Sequence, residues 1–447
     1  MRPFSAIFQR VAGKVPQDFV ELDEWRRRLA MLVSALLIGV LATLFAAAAN
    51  FAQRDFAAFA ADEPYVPLLL TPLLFVAIAA LTRSLAPASR GSGIPQVIAA
   101  SRNPDGETTA GLLSARTAFA KLALSIAALF GGASVGREGP TVHVAAAAMT
   151  QVHRLFGVRV TPGVLIAGGA AGVAGAFNTP LAGIAFAIEE LAVDYEQRVA
   201  VLVMGAVMIS GLTSEGIAGN YLYFGHMSGD LPLGVVLIAA PVAGLVGGLC
   251  GGLFSRALLL LRGPDARWKG PMARRPLLTA LACGAVVAAL GVLGGGTTWG
   301  TGYGPTRALL AGAHGSYRSG PAKFLAVLAT TVSGMPGGIF SPSLAVGAGV
   351  GNLLAPVFAS EHSGAIVLPG MAGYFLGVVR APLTAVIILS ETTGSTGAIL
   401  PLFATCLIGD WAGALVCRER LYHALARDFM PPEPAAPPPI EEESRYS

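Results

Sequence analysis

Charge is scarce in this chain. Lys, Arg, Asp and Glu make up 13% of its 447 residues, against about a quarter in a soluble domain. A solvated surface of ordinary extent is therefore excluded. Cysteine is scarcer still: Cys250, Cys283, Cys406 and Cys417 have no metal-ligand spacing and read as small core residues, with neither a zinc site nor a disulfide framework. Aromatic residues reach only 8% and no stacking platform accompanies the basic clusters, which flank membrane spans, so nucleic acid is not implied. No P-loop or metal-binding helix motif occurs, which removes the usual footing for an enzyme. No cofactor and no metal is expected.

Apolar residues take the place of charge. They amount to 54% of the chain, with a mean hydropathy of +0.65. Several runs reach the ~20 residues that cross a hydrocarbon core of ~30 Å. The first, Leu29 to Ala49, follows Arg26, Arg27 and Arg28, and is too long for a signal-peptide core. The residues before it mix bases with Asp18, Glu21, Asp23 and Glu24. Residues 1–27 are thus expected to remain as a cytoplasmic segment. A second basic cluster, Arg262, Arg267, Lys269, Arg274 and Arg275, is placed on the same side by the same rule. The net charge of +4 follows from this topology. The tail, residues 428–447, is rich in Pro and Glu and reads as disordered.

The chain repeats itself. An offset of 202 residues carries Lys121 onto Lys323, Gly132 onto Gly334, Gly136 onto Gly338 and Pro140 onto Pro342. It also carries Gly168 onto Gly370, Gly175 onto Gly377, Pro180 onto Pro382, Leu181 onto Leu383 and Glu189 onto Glu391. Single glycine matches mean nothing in a chain with 56 glycines, but two prolines and a lysine in one ungapped frame do. Two homologous halves, about 28–220 and 230–425, account for them, and paired interrupted segments in such halves point to a transport site. The comparison leaves open whether the halves are parallel or inverted. Many segments are broken by Gly and Pro, such as Thr161 to Ala192 with Pro162 and Pro180 inside it. Breaks of this kind must be buried in protein or line a wet cavity. Roughly ten to eighteen helices are expected, several spanning only part of the bilayer.

Three stretches combine glycine, proline and a polar residue at a helix start: Gly91, Ser92, Gly93, Ile94 and Pro95; then Gly136, Arg137, Glu138, Gly139 and Pro140; then Gly338, Ile339, Phe340, Ser341 and Pro342. The second and third coincide under the 202 offset. Proline in the first turn wastes no N–H, glycine allows close backbone approach, and the free N–H groups carry roughly half a positive charge. Two such starts meeting near mid-membrane would hold an anion without a full cation, tightly enough to select it and loosely enough to release it. A plain helix cap is the bland alternative for each stretch taken alone.

Glu138 is the charged exception. An ionised carboxylate at such a helix start can occupy the anion's place, and a protonated one must leave. The alternative is that it pairs with Arg137 or caps its helix. Glu189 and Glu190 end the run "NTPLAGIAFAIEEL" and point about 100° apart, so one faces the interior while the other is free to end the helix in water. His143 and His153 have no second ligand at metal spacing and read as packed histidines.

These motifs in this order, with "FNTPLAGIAFAIEEL" and "RAPLTAVIILSETT", resemble the CLC family of chloride channels and chloride/proton antiporters over residues 28–427. The resemblance implies an all-α polytopic membrane protein of two inverted repeats, about eighteen short, tilted, partly discontinuous helices. It implies a homodimer in the cell (inner) membrane with one pathway per subunit and both termini cytoplasmic. Chloride would be bound by the hydroxyls of Ser92 and Tyr422 and the backbone N–H groups of Ile339 and Phe340. Glu138 would be the outer gate and proton acceptor. Glu190 matches the position that relays protons from the cytoplasm in antiporters, where the family's channels usually lack a carboxylate. Ser92 favours chloride over nitrate and argues against the fluoride-exporting branch. The lack of nucleotide-binding domains in this sequence suggests a prokaryotic member. The function implied is chloride/proton antiport. Its rivals are a passive, gated chloride channel of the same fold, an intramembrane enzyme using Glu138 with His143, and a non-transporting scaffold or sensor.

Overall fold

The computed structural model describes residues 22–192, 197–229, 232–264, 266, 269–358 and 363–430. Most of the expected N-terminal segment, Arg267 of the second basic cluster, and the tail from residue 431 lie outside them. Among the described residues there are 19 α-helices and no strands. The first half holds α1 (Leu22–Asp62), α2 (Pro67–Leu85), α3 (Ile94–Arg102), α4 (Glu107–Leu112), α5 (Ala115–Phe130), α6 (Glu138–Leu155), α7 (Pro162–Phe177), α8 (Pro180–Phe186) and α9 (Gln197–Ala218). The second holds α10 (Leu233–Arg262), α11 (Lys269–Arg274), α12 (Pro276–Leu293), α13 (Tyr303–Leu310), α14 (Ser319–Ser333), α15 (Phe340–Leu354), α16 (Ser363–Val379), α17 (Pro382–Thr393), α18 (Ile399–Val416) and α19 (Leu421–Ala426).

Among the described residues, seven helices are long and apolar enough to cross a membrane. α1 extends well past the expected run: its 41 residues measure about 60 Å at 1.5 Å each, twice the hydrocarbon core. Its first two turns carry Arg26–Arg28, and the apolar run follows them. Between Thr161 and Ala192 the expected break is real. Pro162 and Pro180 each start a helix, and Asn178 closes α7 in the left-handed region at φ 58°. After α8 the chain widens into one π-turn over Ala187–Leu191, which carries both glutamates.

The two halves are inverted. Gly136 and Gly338, partners under the 202 offset, exchange reciprocal backbone hydrogen bonds of 2.7 and 2.8 Å in an antiparallel bridge. A residue that pairs with its own copy lies on the axis relating the copies. Glu189 accepts from Leu383 N (2.8 Å), Thr384 N (2.6 Å) and Thr384 Oγ1 (2.7 Å) at the start of α17. Its copy Glu391 accepts from Leu181 N (3.3 Å) and Ala182 N (2.9 Å) at the start of α8. Each of these helices carries at its C-terminal end the cap of the other's N-terminus, so α8 and α17 run antiparallel. The left-handed turns repeat too: Asn178 and Arg380, partners at φ 58° and 62°, are the non-glycine residues with positive φ among those described.

Helix packing follows from glycine. In α10, Gly244, Gly248 and Gly252 lie against the backbone of Thr405, Gly409 and Gly413 in α18, and Gly247 and Gly251 against Gly373, Tyr374 and Gly377 in α16. Small residues every fourth position let three backbones approach where lipid offers no hydrophobic drive for association.

The reciprocal caps give a stability prediction. Glu189→Ala removes three acceptor contacts and Glu391→Ala two, at about 1–2 kcal/mol for a cap. Both variants are expected to melt lower in detergent, with Glu189→Ala the lower of the two. Melting indistinguishable from the parent in both would refute the capping role.

Candidate functional site

The Gly136–Gly338 bridge sets α6 and α15 start to start. Further backbone bonds bring in the first motif: Gly91 N donates to Met335 O (3.1 Å) and Gly337 N to Gly91 O (3.1 Å). The three stretches expected from the sequence thus meet. Gly139 is the clearest sign of how closely, because a Cβ there would collide with Ser92 Oγ and lie 3.3 Å from Gly338 Cα. A Cβ on Gly338 would come within 3.1 Å of Gly139 N and 3.2 Å of Pro140 Cδ. Gly91 and Gly93, at φ 66° and 112°, make the turn into α3 that brings Ser92 to this point.

The lysines of the repeat hold these turns. Lys121 Nζ donates to Gly91 O (2.7 Å) and Arg90 O (3.4 Å). Lys323 Nζ donates to Gly300 O (2.7 Å) and Thr298 O (3.0 Å). The correspondence exposes a fourth helix start that the ungapped offset hides: "GTGYGP", Gly300–Pro305, stands to α13 as "GSGIP" stands to α3, but at an offset of 209. Gly300 N donates to Ala133 O (3.2 Å), the copy of the bond from Gly91 N to Met335 O. The signal was legible, and a seven-residue insertion concealed it.

The polar groups at the convergence are buried. Ser92 is 7% exposed, Glu138 1% and Tyr422 1%. Ser92 Oγ, Tyr422 Oη and Glu138 Oε2 have no hydrogen-bond partner among the described residues. α19 brings Tyr422 to Ser92 and within electrostatic reach of both Glu138 and Glu190. Ile339 and Phe340 form the first turn of α15, whose N–H groups have no intrahelical acceptor. The Phe340 ring is fixed by Phe375 (4.5 Å between centroids), Phe177 (5.2 Å) and Phe186 (6.2 Å). Orphaned hydroxyls and helix-start donors, walled by aromatic rings, fit a small unhydrated anion.

Glu138 forms a long ion pair with Arg137 but takes no hydrogen bond from it. Arg137 Nε stands 4.0 Å from Glu138 Oε1, while its Nη1 donates to Ala46 O (2.7 Å) and Asn50 Oδ1 (3.0 Å). The near partner is Tyr223, whose hydroxyl donates to Glu138 Oε1 at 3.0 Å and lies 3.3 Å from Ser341 Oγ. Tyr223 sits in the stretch joining the two halves, with no motif to mark it, and sequence reasoning missed it. His143 and His153 are packed: His143 Nε2 lies 2.9 Å from Leu112 O and His153 Nδ1 2.9 Å from Met149 O.

Two vestibules approach the convergence from opposite faces. The one on the side of the basic clusters, about 170 Å³, is lined by Arg83, Arg90, Ser92, Arg262 and Ile339. The other, about 530 Å³, is lined by Asn50, Gln53, Arg54, Arg137, Tyr221 and Tyr223. Glu138 and Tyr422 line neither and separate them. Arginines at both mouths draw anions inward.

A duplicated, inverted bundle whose broken helices aim their N-termini at one buried point defines a membrane protein built to pass an anion. The chain belongs to the voltage gated chloride channel family, whose profile matches residues 73–414. It is similar to the H(+)/Cl(-) exchange transporter ClcA of Yersinia pestis bv. Antiqua (strain Angola), 29% identical over 96% of this chain and 94% of that protein. The protein of the same name from Citrobacter koseri is 30% identical over 85% of this chain and 84% of its own length. The fold is shared with the crystal structure of a slow cyanobacterial Cl-/H+ antiporter, at 23% identity and a TM-score of 0.76, covering 90% of this chain and 97% of that one.

Gly139→Ala drives a methyl group into Ser92 Oγ. Calorimetric titration with chloride is expected to show affinity at least about tenfold weaker, a loss of 1.4 kcal/mol or more. Unchanged affinity would mean that the anion does not bind where α3, α6 and α15 meet.

Proposed function

We propose that this chain is a chloride/proton antiporter: it moves chloride across the membrane in exchange for protons. The observation that carries this reading is a pair of buried carboxylates, Glu138 at the anion-binding helix starts and Glu190 toward the basic side, each with an oxygen that no protein donor satisfies. A pathway for chloride alone has no need of the second. The exchanger names of the curated relatives support the same choice.

In this reading Ser92, Tyr422 and the backbone N–H groups of Ile339 and Phe340 hold chloride. Glu138, when ionised, competes for the neighbouring position because the same helix-start potential attracts both anions. Protonation removes that attraction, and Glu138 gives way. Glu190 supplies or receives the proton from the cytoplasmic side. Tyr223 stabilises the closed position of Glu138 by its hydrogen bond, which holds the carboxylate between visits of the anion. The domain plan is a transmembrane unit over residues 28–427, with residues 1–27 and 428–447 in the cytoplasm. Its setting is the cell (inner) membrane, as a homodimer with one pathway in each subunit.

Simultaneous chloride and pH recordings from liposomes test the scheme. Glu138→Ala is expected to leave chloride flux intact or faster and to abolish proton movement; Glu190→Gln is expected to reduce proton movement and spare chloride. Proton pumping that survives in Glu138→Ala would sink the mechanism. A parent protein in which a chloride gradient drives no uphill proton flux would be a passive channel. Tyr223→Phe is expected to raise chloride turnover a few-fold, the loss of about 1 kcal/mol from the closed state, and an unchanged rate would remove Tyr223 from the gate.

A further inference from the structure

We propose that His423 carries protons between the solution on the basic side and the buried Glu190, an inference that rests on the exchange reading above. Glu190 is fully buried, and its Oε2 has no hydrogen-bond partner among the described residues. A carboxylate so placed cannot exchange protons with bulk water directly. His423 Nδ1 stands 3.3 Å from Glu190 Oε1, and the His423 side chain is 26% exposed where Glu190 is 0%. One imidazole therefore touches both the buried carboxylate and the solvent.

Among the described residues, this ring is the titratable group that reaches both Glu190 and the solvent. The other charged groups facing Glu190 are Arg420 and Glu189. Arginine stays protonated across the physiological range and does not shuttle. Arg420 Nη1 is also occupied, donating to Glu189 O at 3.1 Å. Both oxygens of Glu189 are taken up in capping α17. α3, α7 and α8, against which the π-turn packs, present no other charged group to Glu190.

The transfer is a plain proton relay. Water protonates the neutral ring that carries its hydrogen on Nδ1, giving the imidazolium with both nitrogens protonated. The imidazolium passes the Nδ1 proton to Glu190 Oε1, leaving a protonated carboxyl and a neutral ring with its hydrogen on Nε2. Exchange with solvent returns the ring to the first tautomer, and outward proton movement runs the same steps in reverse. Histidine suits the task because it is the side chain whose ordinary pKa lies near neutrality.

The experiment uses the full chain in liposomes with chloride and pH recorded together. His423→Ala is expected to slow coupled exchange at least about tenfold, as loss of a positioned proton carrier does. Imidazole added to the buffer is expected to restore most of the rate. In the Glu138→Ala background, where chloride flux no longer needs protons, adding His423→Ala is expected to change nothing. Coupled exchange at the parent rate in His423→Ala would show that water alone feeds Glu190, and would overturn the proposal. Chloride flux that falls equally in the Glu138→Ala background would overturn it too, because the role would then be structural. A parent chain that passes chloride without moving protons overturns the exchange reading itself, before any histidine variant is compared.

Discussion

The reciprocal pair of hydrogen bonds between Gly136 and Gly338 is the constraint around which the molecule is arranged. It joins the copies at their own axis and sets the first turns of α6 and α15 beside each other. Four backbone groups that a membrane interior would leave stranded satisfy one another there. Everything at the centre follows from that approach. Gly139 has no room for a side chain, Ser92 is brought against it, and the turns carrying Ser92 and Thr301 are held from behind by buried Lys121 and Lys323. Both lysines donate to backbone carbonyls, so they brace the turns from behind without entering the site.

Inversion makes such a centre possible. A single helix start offers roughly half a charge pointing one way along its axis. Two starts related by an axis in the membrane plane face each other across one point, approached by a vestibule from each side. Symmetry ends at the side chains. Glu138 has Phe340 as its copy, and Tyr422 of α19 falls on Asn220 under the same offset. The duplicated backbone supplies the facing helix starts, and the buried polar side chains between them are not duplicated. Glu189 and Glu190 show the same division within two residues. Glu189, with its copy Glu391, ties the halves together, and Glu190 has no acidic copy and faces the interior.

Much of this was legible beforehand, because its signals are local or periodic. The scarcity of charge, the apolar runs and the arginine clusters define a membrane protein and its sidedness. Glycine and proline at fixed spacing mark helix starts, since few other residues permit those turns. The 202 offset marks duplication. What stayed hidden was interrupted or non-local. The copy of "GSGIP" at Gly300–Pro305 fell outside the ungapped frame, and Tyr223 lies 85 residues from the carboxylate it holds.

The sequence by itself determined the solvent this chain belongs in, its duplication, the positions of its helix starts and which carboxylates are out of place in lipid. These follow from single-residue chemistry: the cost of charge in hydrocarbon, the missing N–H of proline, the missing Cβ of glycine. Only the tertiary structure decided that the halves are inverted, that three helix starts meet at one buried point, and which partners the glutamates take. Glu138 faces Tyr223 in preference to Arg137, Glu189 caps the opposite half, and Glu190 meets His423. Those choices depend on which distant backbones close packing brings within 3 or 4 Å, and spacing along the chain does not encode that distance.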